Sequence, residues 1–145
     1  MRMIAVYKKF FLMLGVTVLL CLSASVVWSE TKDQIVSREG IYYKKFSDIP
    51  FTGTVYNYYE NGQLEMKVEL VDGKEHGVEK YFHPNGKPHS ISINKNGCPV
   101  NSKSIFPDGS YIAVIWENCI GVLFKKFNSE GNIVAIGKSM SEITK

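Results

Sequence analysis

The stretch Tyr58-Tyr59-Glu60-Asn61-Gly62-Gln63 carries aromatic residues into a turn that closes on glycine. The segment leaving it alternates, with Leu64, Met66, Val68 and Leu70 apolar and Glu65, Lys67 and Glu69 between them. Together these features read as a β-hairpin. The arrangement recurs at Arg38-Glu39-Gly40, Pro84-Asn85-Gly86, Pro107-Asp108-Gly109 and Ser129-Glu130-Gly131. The turn glycines Gly40, Gly62, Gly86, Gly109 and Gly131 stand 22, 24, 23 and 22 residues apart. A fixed period of this size marks stacked units, none of which can bury its apolar face alone. The expected fold is all-β, built of stacked β-hairpin repeats.

Turn chemistry sets the register. Proline suits position i+1 of a type I turn, Asp or Asn suits i+2, and glycine takes the left-handed residue that follows. That is a three-residue loop with a bulge at glycine, not a two-residue Asn-Gly turn. With three loop residues, Tyr58 lies opposite Leu64 and shares its face. Four residues before each glycine stand Val36, Tyr58, Phe82, Ile105 and Phe127; two after it stand Tyr42, Leu64, Pro88, Tyr111 and Ile133. Both columns are apolar in every unit, and these ten residues are the expected core.

The chain of 145 residues opens with Lys8-Lys9 and an apolar run from Phe10 to Leu22, the n-region and h-region of a secretory signal. Cleavage after Ser25, with Ser23 upstream, or after Ser29, with Val27 upstream, satisfies the small-residue rule. Residues 1–29 are read as a signal-peptide helix and residues 30–145 as the repeat domain, periplasmic or secreted. The alternative is an uncleaved anchor, because residues 10–28 just suffice to span a bilayer. Leu20 before Cys21 disfavours a lipoprotein. Seventeen basic residues less Arg2, Lys8 and Lys9 leave 14, against 14 acidic ones. The mature chain is therefore near neutral, which removes the electrostatic support for nucleic-acid binding.

Residues 30–37 form a polar lead-in, followed by a partial unit at the Gly40 turn. Fuller units run over 53–76, 77–99, 100–120 and 121–138, about four and a half hairpins in all. Further turn signals, Asp72-Gly73 and Asn96-Gly97, lie between hairpins. In unit two, Ile91 and Ile93 fall where unit one has Lys67 and Glu69. Either a bulge flips the face there or that strand is covered on both sides. Unit three, Tyr111 to Trp116, is apolar on both faces and should pack against the chain's own termini or a partner. The polar end, 138–145, reads as a frayed tail.

The run Phe51-Thr52-Gly53-Thr54-Val55 through Tyr59-Glu60-Asn61-Gly62-Gln63-Leu64, then Asp72-Gly73-Lys74-Glu75-His76-Gly77, resembles the MORN-repeat variant. It is similar to the bacterial proteins described as YwqK-like antitoxins. The resemblance is good over residues 40–90 and weak beyond, where Val100 replaces an opening glycine. It implies a single-layer antiparallel sheet of stacked β-hairpin repeats and a binding role, with no catalytic residue to transfer.

Other chemistries are weighed on geometry. Cys98 and Cys119 remain as a pair after Cys21 leaves with the signal. Equivalent strands of adjacent hairpins lie roughly 10 Å apart, whereas a disulfide needs Cα atoms about 4.4–6.8 Å apart. Loops have slack, so a disulfide and two small thiols both stay open. His76 and His83 fall at opposite ends of one strand, roughly 20 Å apart, so with His89 they read as surface histidines and no metal or cofactor is expected. No nucleophile turn such as Gly-x-Ser-x-Gly is present, and a single-layer sheet offers little concavity for paired acids. The chain is thus read as non-enzymatic. Tyr56, Tyr59, Tyr81 and Phe124 lie outside the core columns and are the candidate binding surface. The expected function is an extracytoplasmic module that recognises a protein, with a toxin as the partner the resemblance implies. A cell-envelope or membrane-peripheral structural protein is the alternative.

Overall fold

The computed structural model describes residues 28–144. The signal peptide and its anchor alternative therefore lie outside the described residues, except for Trp28 and Ser29. Among the described residues no helix is long and apolar enough to cross a membrane. The strands are β1 (Ser29–Thr31), β2 (Ile35–Arg38), β3 (Ile41–Lys44), β4 (Gly53–Tyr58), β5 (Leu64–Val71), β6 (Lys74–Glu75), β7 (Gly77–Phe82), β8 (Pro88–Lys95), β9 (Cys98–Ile105), β10 (Tyr111–Glu117), β11 (Ile120–Phe127) and β12 (Ile133–Gly137). A short helix, α1 (Met140–Ile143), follows. The main sheet runs β1-β4-β5-β7-β8-β9-β10-β11-β12, with β6 also paired to β5. It is an antiparallel meander except at one edge, where β1 adds parallel to β4. The residues read as a polar lead-in thus supply an edge strand.

Two turn classes alternate along the meander. Four turns are three-residue loops closed by the same pair of bonds. At Glu60-Asn61-Gly62, the Gly62 amide donates to Tyr59 O and the Tyr59 amide donates to Gln63 O, both at 2.9 Å. Gly62 sits at φ +79°, a left-handed conformation that costs glycine nothing. Asn61 Oδ1 accepts the Gln63 amide at 3.0 Å, as Asn85 does for Lys87 and Asp108 for Ser110, which explains Asn or Asp at that position. On the opposite sheet edge, Asp72-Gly73, Asn96-Gly97 and Asn118-Cys119 have positive φ at both central residues, the mark of two-residue type I′ turns.

The first hairpin belongs to the second class. Arg38 pairs directly with Ile41 across Glu39-Gly40, both at positive φ, so Val36 faces Tyr43 and not Tyr42. It also does not extend the main sheet. The β2–β3 pair is a separate two-stranded sheet laid over one face of β4 and β5, where Ile35 and Tyr42 pack on Phe51, Val55, Met66, Val68 and Leu70. Backbone bonds hold it there, the Tyr42 amide donating to Gly73 O and the Phe51 amide to Tyr42 O, both at 2.9 Å. The expected single layer is therefore doubled at its first end.

Following the register across the strands assigns the two faces. One carries Val55, Met66, Val68 and Leu70 under the hairpin, then Tyr81, Ser90 and Ser104, then Ile112 and Val114. The last pair forms a second buried cluster with Ile143 of α1, walled by Trp116, Phe124 and Ala135. Within the 138–145 segment, expected to be a frayed tail, the described residues 138–144 are anchored: Ile143 is 2% exposed, and the Lys138 amide donates to Glu142 Oε2. One apolar side chain on a single helical turn is enough to anchor it.

The expected core is overturned. The pairs Tyr58–Leu64, Phe82–Pro88, Ile105–Tyr111 and Phe127–Ile133 all form in register. They lie, however, on the face opposite both buried clusters; Tyr58 is 52% and Ile133 51% exposed. A register shift beside Tyr58 moves Leu64 to one face and Met66, Val68 and Leu70 to the other. Of the remaining expected core residues, Tyr42 packs against the first cluster, and Val36 is only half-buried. Unit two resolves differently from either expectation. Ile91 and Ile93 face the same way as Lys67 and Glu69, with Ser90, Ser92 and Asn94 on the other side. Neither a flip nor a second cover is involved, and Ile93 stays 48% exposed.

Ile143→Ala should lower unfolding stability by about 2–4 kcal/mol, as a core truncation does. Ile133→Ala, on the bare face, should cost less than about 1 kcal/mol. Urea unfolding of both variants measures the contrast.

Candidate functional site

The face bearing neither hairpin nor helix is organised in rows perpendicular to the strands. Its central row follows the pairings Tyr56–Lys67, Lys67–Lys80, Lys80–Ile91, Ile91–Lys103, Lys103–Ala113 and Ala113–Lys125. Lys67 and Lys80 lie on adjacent strands, about 5 Å apart, and Lys80, Lys103 and Lys125 on every second strand, about 10 Å apart. Lys67 is neutralised by Glu69 at 2.9 Å, and that hydrogen bond holds its amine above the ordinary value. Lys80, Lys103 and Lys125 make no ion pair within 4 Å among the described residues.

Apolar rows flank the lysines. Toward the three-residue loops, Tyr111 stacks on Phe127 with centroids 4.4 Å apart, and Lys103 Nζ lies 3.6 Å above the Tyr111 ring. Toward the other edge lie Val78, Ile93, Ile115 and Leu123, with Asn101 between Ile93 and Ile115. The apolar neighbours can carry the methylene stems of such lysines, and the ammonium of Lys103 rests against the Tyr111 ring. The face thus combines desolvable apolar area with a line of uncompensated positive charge.

The four aromatic residues expected to form one surface do not. Tyr56 is on the bare face, with its ring stacked on Tyr58 at 6.5 Å. Tyr59 holds successive loops together, its hydroxyl donating to Phe82 O at 2.7 Å. Tyr81 and Phe124 lie on the covered face, Tyr81 beside the N-terminal hairpin and Phe124 in the cluster under α1. The lysines were missed, although a signal existed: Lys80, Lys103 and Lys125 each stand six residues before a loop glycine, where unit one has Tyr56.

Cys98 and Cys119 are joined as a disulfide, with Cα atoms 5.0 Å apart. The 10 Å strand argument fails because β9 stops pairing with β10 at Asn101–Ile115, freeing Cys98 to meet the Asn118-Cys119 turn. The rings of His83 and His89 meet edge to face at 4.7 Å, and no group of three metal-ligating side chains occurs among the described residues.

The covered face has the concavity that a single layer would lack. Between the hairpin and β4–β7 lies a cavity of about 360 Å³. Its polar lining includes Tyr42, Glu75, Glu79 and Tyr81. Burial, then repulsion from Glu79, holds the Glu75 carboxyl above the ordinary carboxylate range. Burial and the Glu79 charge likewise raise the Tyr81 phenol, and burial with Glu75 raises Tyr42.

The disulfide joins residues 21 positions apart in the sequence. Reducing it, or replacing both cysteines by serine, should lower stability by about 3 kcal/mol on loop-closure entropy. Urea midpoints with and without reductant check this.

Residues 51–72 and 75–93 match the family described as MORN repeat variant. No curated protein matches the chain. The two matched stretches span β4–β5 and Glu75 through most of β8, and the later hairpins extend the same sheet.

Proposed function

We propose that this chain is a non-enzymatic binding module that docks an acidic protein surface on its bare face. One observation carries the reading: a lysine row between two apolar rows runs across the sheet on the face that no described element covers. MORN repeats are binding or structural modules, and an open, pre-formed sheet face suits recognition without a folding cost. The near-neutral charge of the chain without its leader does not weaken this reading, because Lys80, Lys103 and Lys125 gather in one row, and Glu69 on that face is already paired with Lys67. Local potential, not net charge, steers association.

The apolar leader and the Cys98–Cys119 disulfide support a location outside the reducing cytosol. A toxin, the partner implied by the resemblance to YwqK-like antitoxins, fits if its contact surface is acidic and it meets the chain there, in an immunity-like role.

The test compares wild type with Lys80→Glu/Lys103→Glu, both immobilised, for capture from the envelope fraction, with flotation on phosphatidylglycerol vesicles in parallel. The proposal expects one stoichiometric acidic protein on wild type, lost from the double variant and weakened by salt. Equal capture by both forms contradicts it, and vesicle binding without a protein partner favours the membrane-peripheral alternative.

A further inference from the structure

We propose that the cavity beneath the β2–β3 hairpin is a binding site for a primary alkylammonium group, independent of the docking face. At about 360 Å³ it falls within the size range of small-ligand sites. Its floor is apolar, formed by Val55, Met66, Val68 and Leu70. The cavity opens beside β5 because that strand pairs with β7 only at Met66–Tyr81 and Lys67–Lys80 before β6 intervenes. Glu75 of β6 and Glu79 of β7 thereby reach one enclosure.

These two carboxylates are under-compensated. Glu79 accepts from Asn94 Nδ2 at 2.8 Å, and Glu75 is approached by the Tyr42 hydroxyl at 3.4 Å. Neither has a basic side chain within 4 Å among the described residues. Lys32 stands in the lining without pairing to either. Carboxylates brought together in a partly dry site repel, and a cation placed between them relieves the repulsion.

The remaining surfaces select the kind of cation. Tyr42 and Tyr81 offer phenol rings, which attract ammonium groups. An alkylammonium supplies three donors for the carboxylates and methylenes for the apolar floor. A bare divalent metal would need about six oxygen ligands, which an aliphatic floor cannot supply.

Two sources present this chemistry: a free amine and a lysine side chain of a peptide. Pentylammonium and Nα-acetyl-lysine amide stand for them, with 1-pentanol as the uncharged control. Binding is followed by the Met66 methyl and Tyr81 ring resonances of the full chain. Pentylammonium should saturate these shifts with a dissociation constant of roughly 1 mM. Glu79→Gln should weaken it about ten-fold by removing a charged acceptor. The surface change Lys32→Ala should strengthen it two- to three-fold, on the order of one screened like charge.

Binding favours ionised Glu75, which faces Lys32, Tyr42, Glu79 and Tyr81. Affinity should therefore be full above its raised pKa and fall as pH drops through it. Tighter binding of the lysine amide assigns the peptide source, and the reverse assigns a free amine. Pentanol binding as tightly as pentylammonium, affinity unchanged by Glu79→Gln in a protein with wild-type circular dichroism, or no saturable shift would each overturn the proposal.

Discussion

A left-handed glycine at the third position of each three-residue loop is the constraint on which the sheet depends. At Gly62, Gly86, Gly109 and Gly131 it turns the chain so that the residue four before it pairs with the residue two after it. Because side chains alternate in period two, that single choice fixes the face of each side chain in the incoming strand. The residue six before each glycine then falls on the bare face as well, which is why three lysines from three repeats line up. Neither the lysine row nor the apolar rows beside it need any interaction of their own to be aligned.

A sheet needs a second layer to bury one face, and among the described residues this one is covered at its two ends. The β2–β3 hairpin covers β4 and β5, and Ile143 anchors a helical turn over β10 to β12. Between them the same face turns polar, with Ser90, Ser92, Ser102 and Ser104 where the ends have Val68 or Val114. Trp116 bridges toward this strip by donating to Ser102 Oγ at 2.9 Å. Stability is thus concentrated in two clusters joined by a backbone ladder. The other face has no cover among the described residues, and the cavity under the hairpin lies beneath a narrow two-stranded ribbon.

The repeat, the three-residue loops and the cross-strand pairs were legible in the sequence because each rests on local turn chemistry. Which face would be covered was not. Leu64, Met66, Val68 and Leu70 look like one alternating set, yet the irregularity beside Tyr58 separates Leu64 from the rest. The Gly40 turn has Glu before glycine, as the three-residue Gly131 loop does, yet it folds as a two-residue turn; at Gly131 the Asn128 Oδ1 accepts the Glu130 and Asn132 amides, whereas Ser37 stands at that position in the first hairpin. Cover from the hairpin and from α1 is a long-range contact, and a polar tail with one isoleucine gives little periodic signal for it. Tyr81 and Phe124 were placed with Tyr56 for want of a face assignment. The lysine column was readable but overlooked, since exposed lysines on strands usually mean only solvation.

The division into a covered and a bare face is tested most directly by methyl relaxation with a soluble paramagnetic agent. Strong enhancement is predicted at Ile93, Ile115, Ile133 and Ile136, which are 43–59% exposed, and protection at Val55, Val68, Ile112 and Ile143, which are 2–7% exposed. Equal enhancement of the two sets, or protection of the first, would contradict the account.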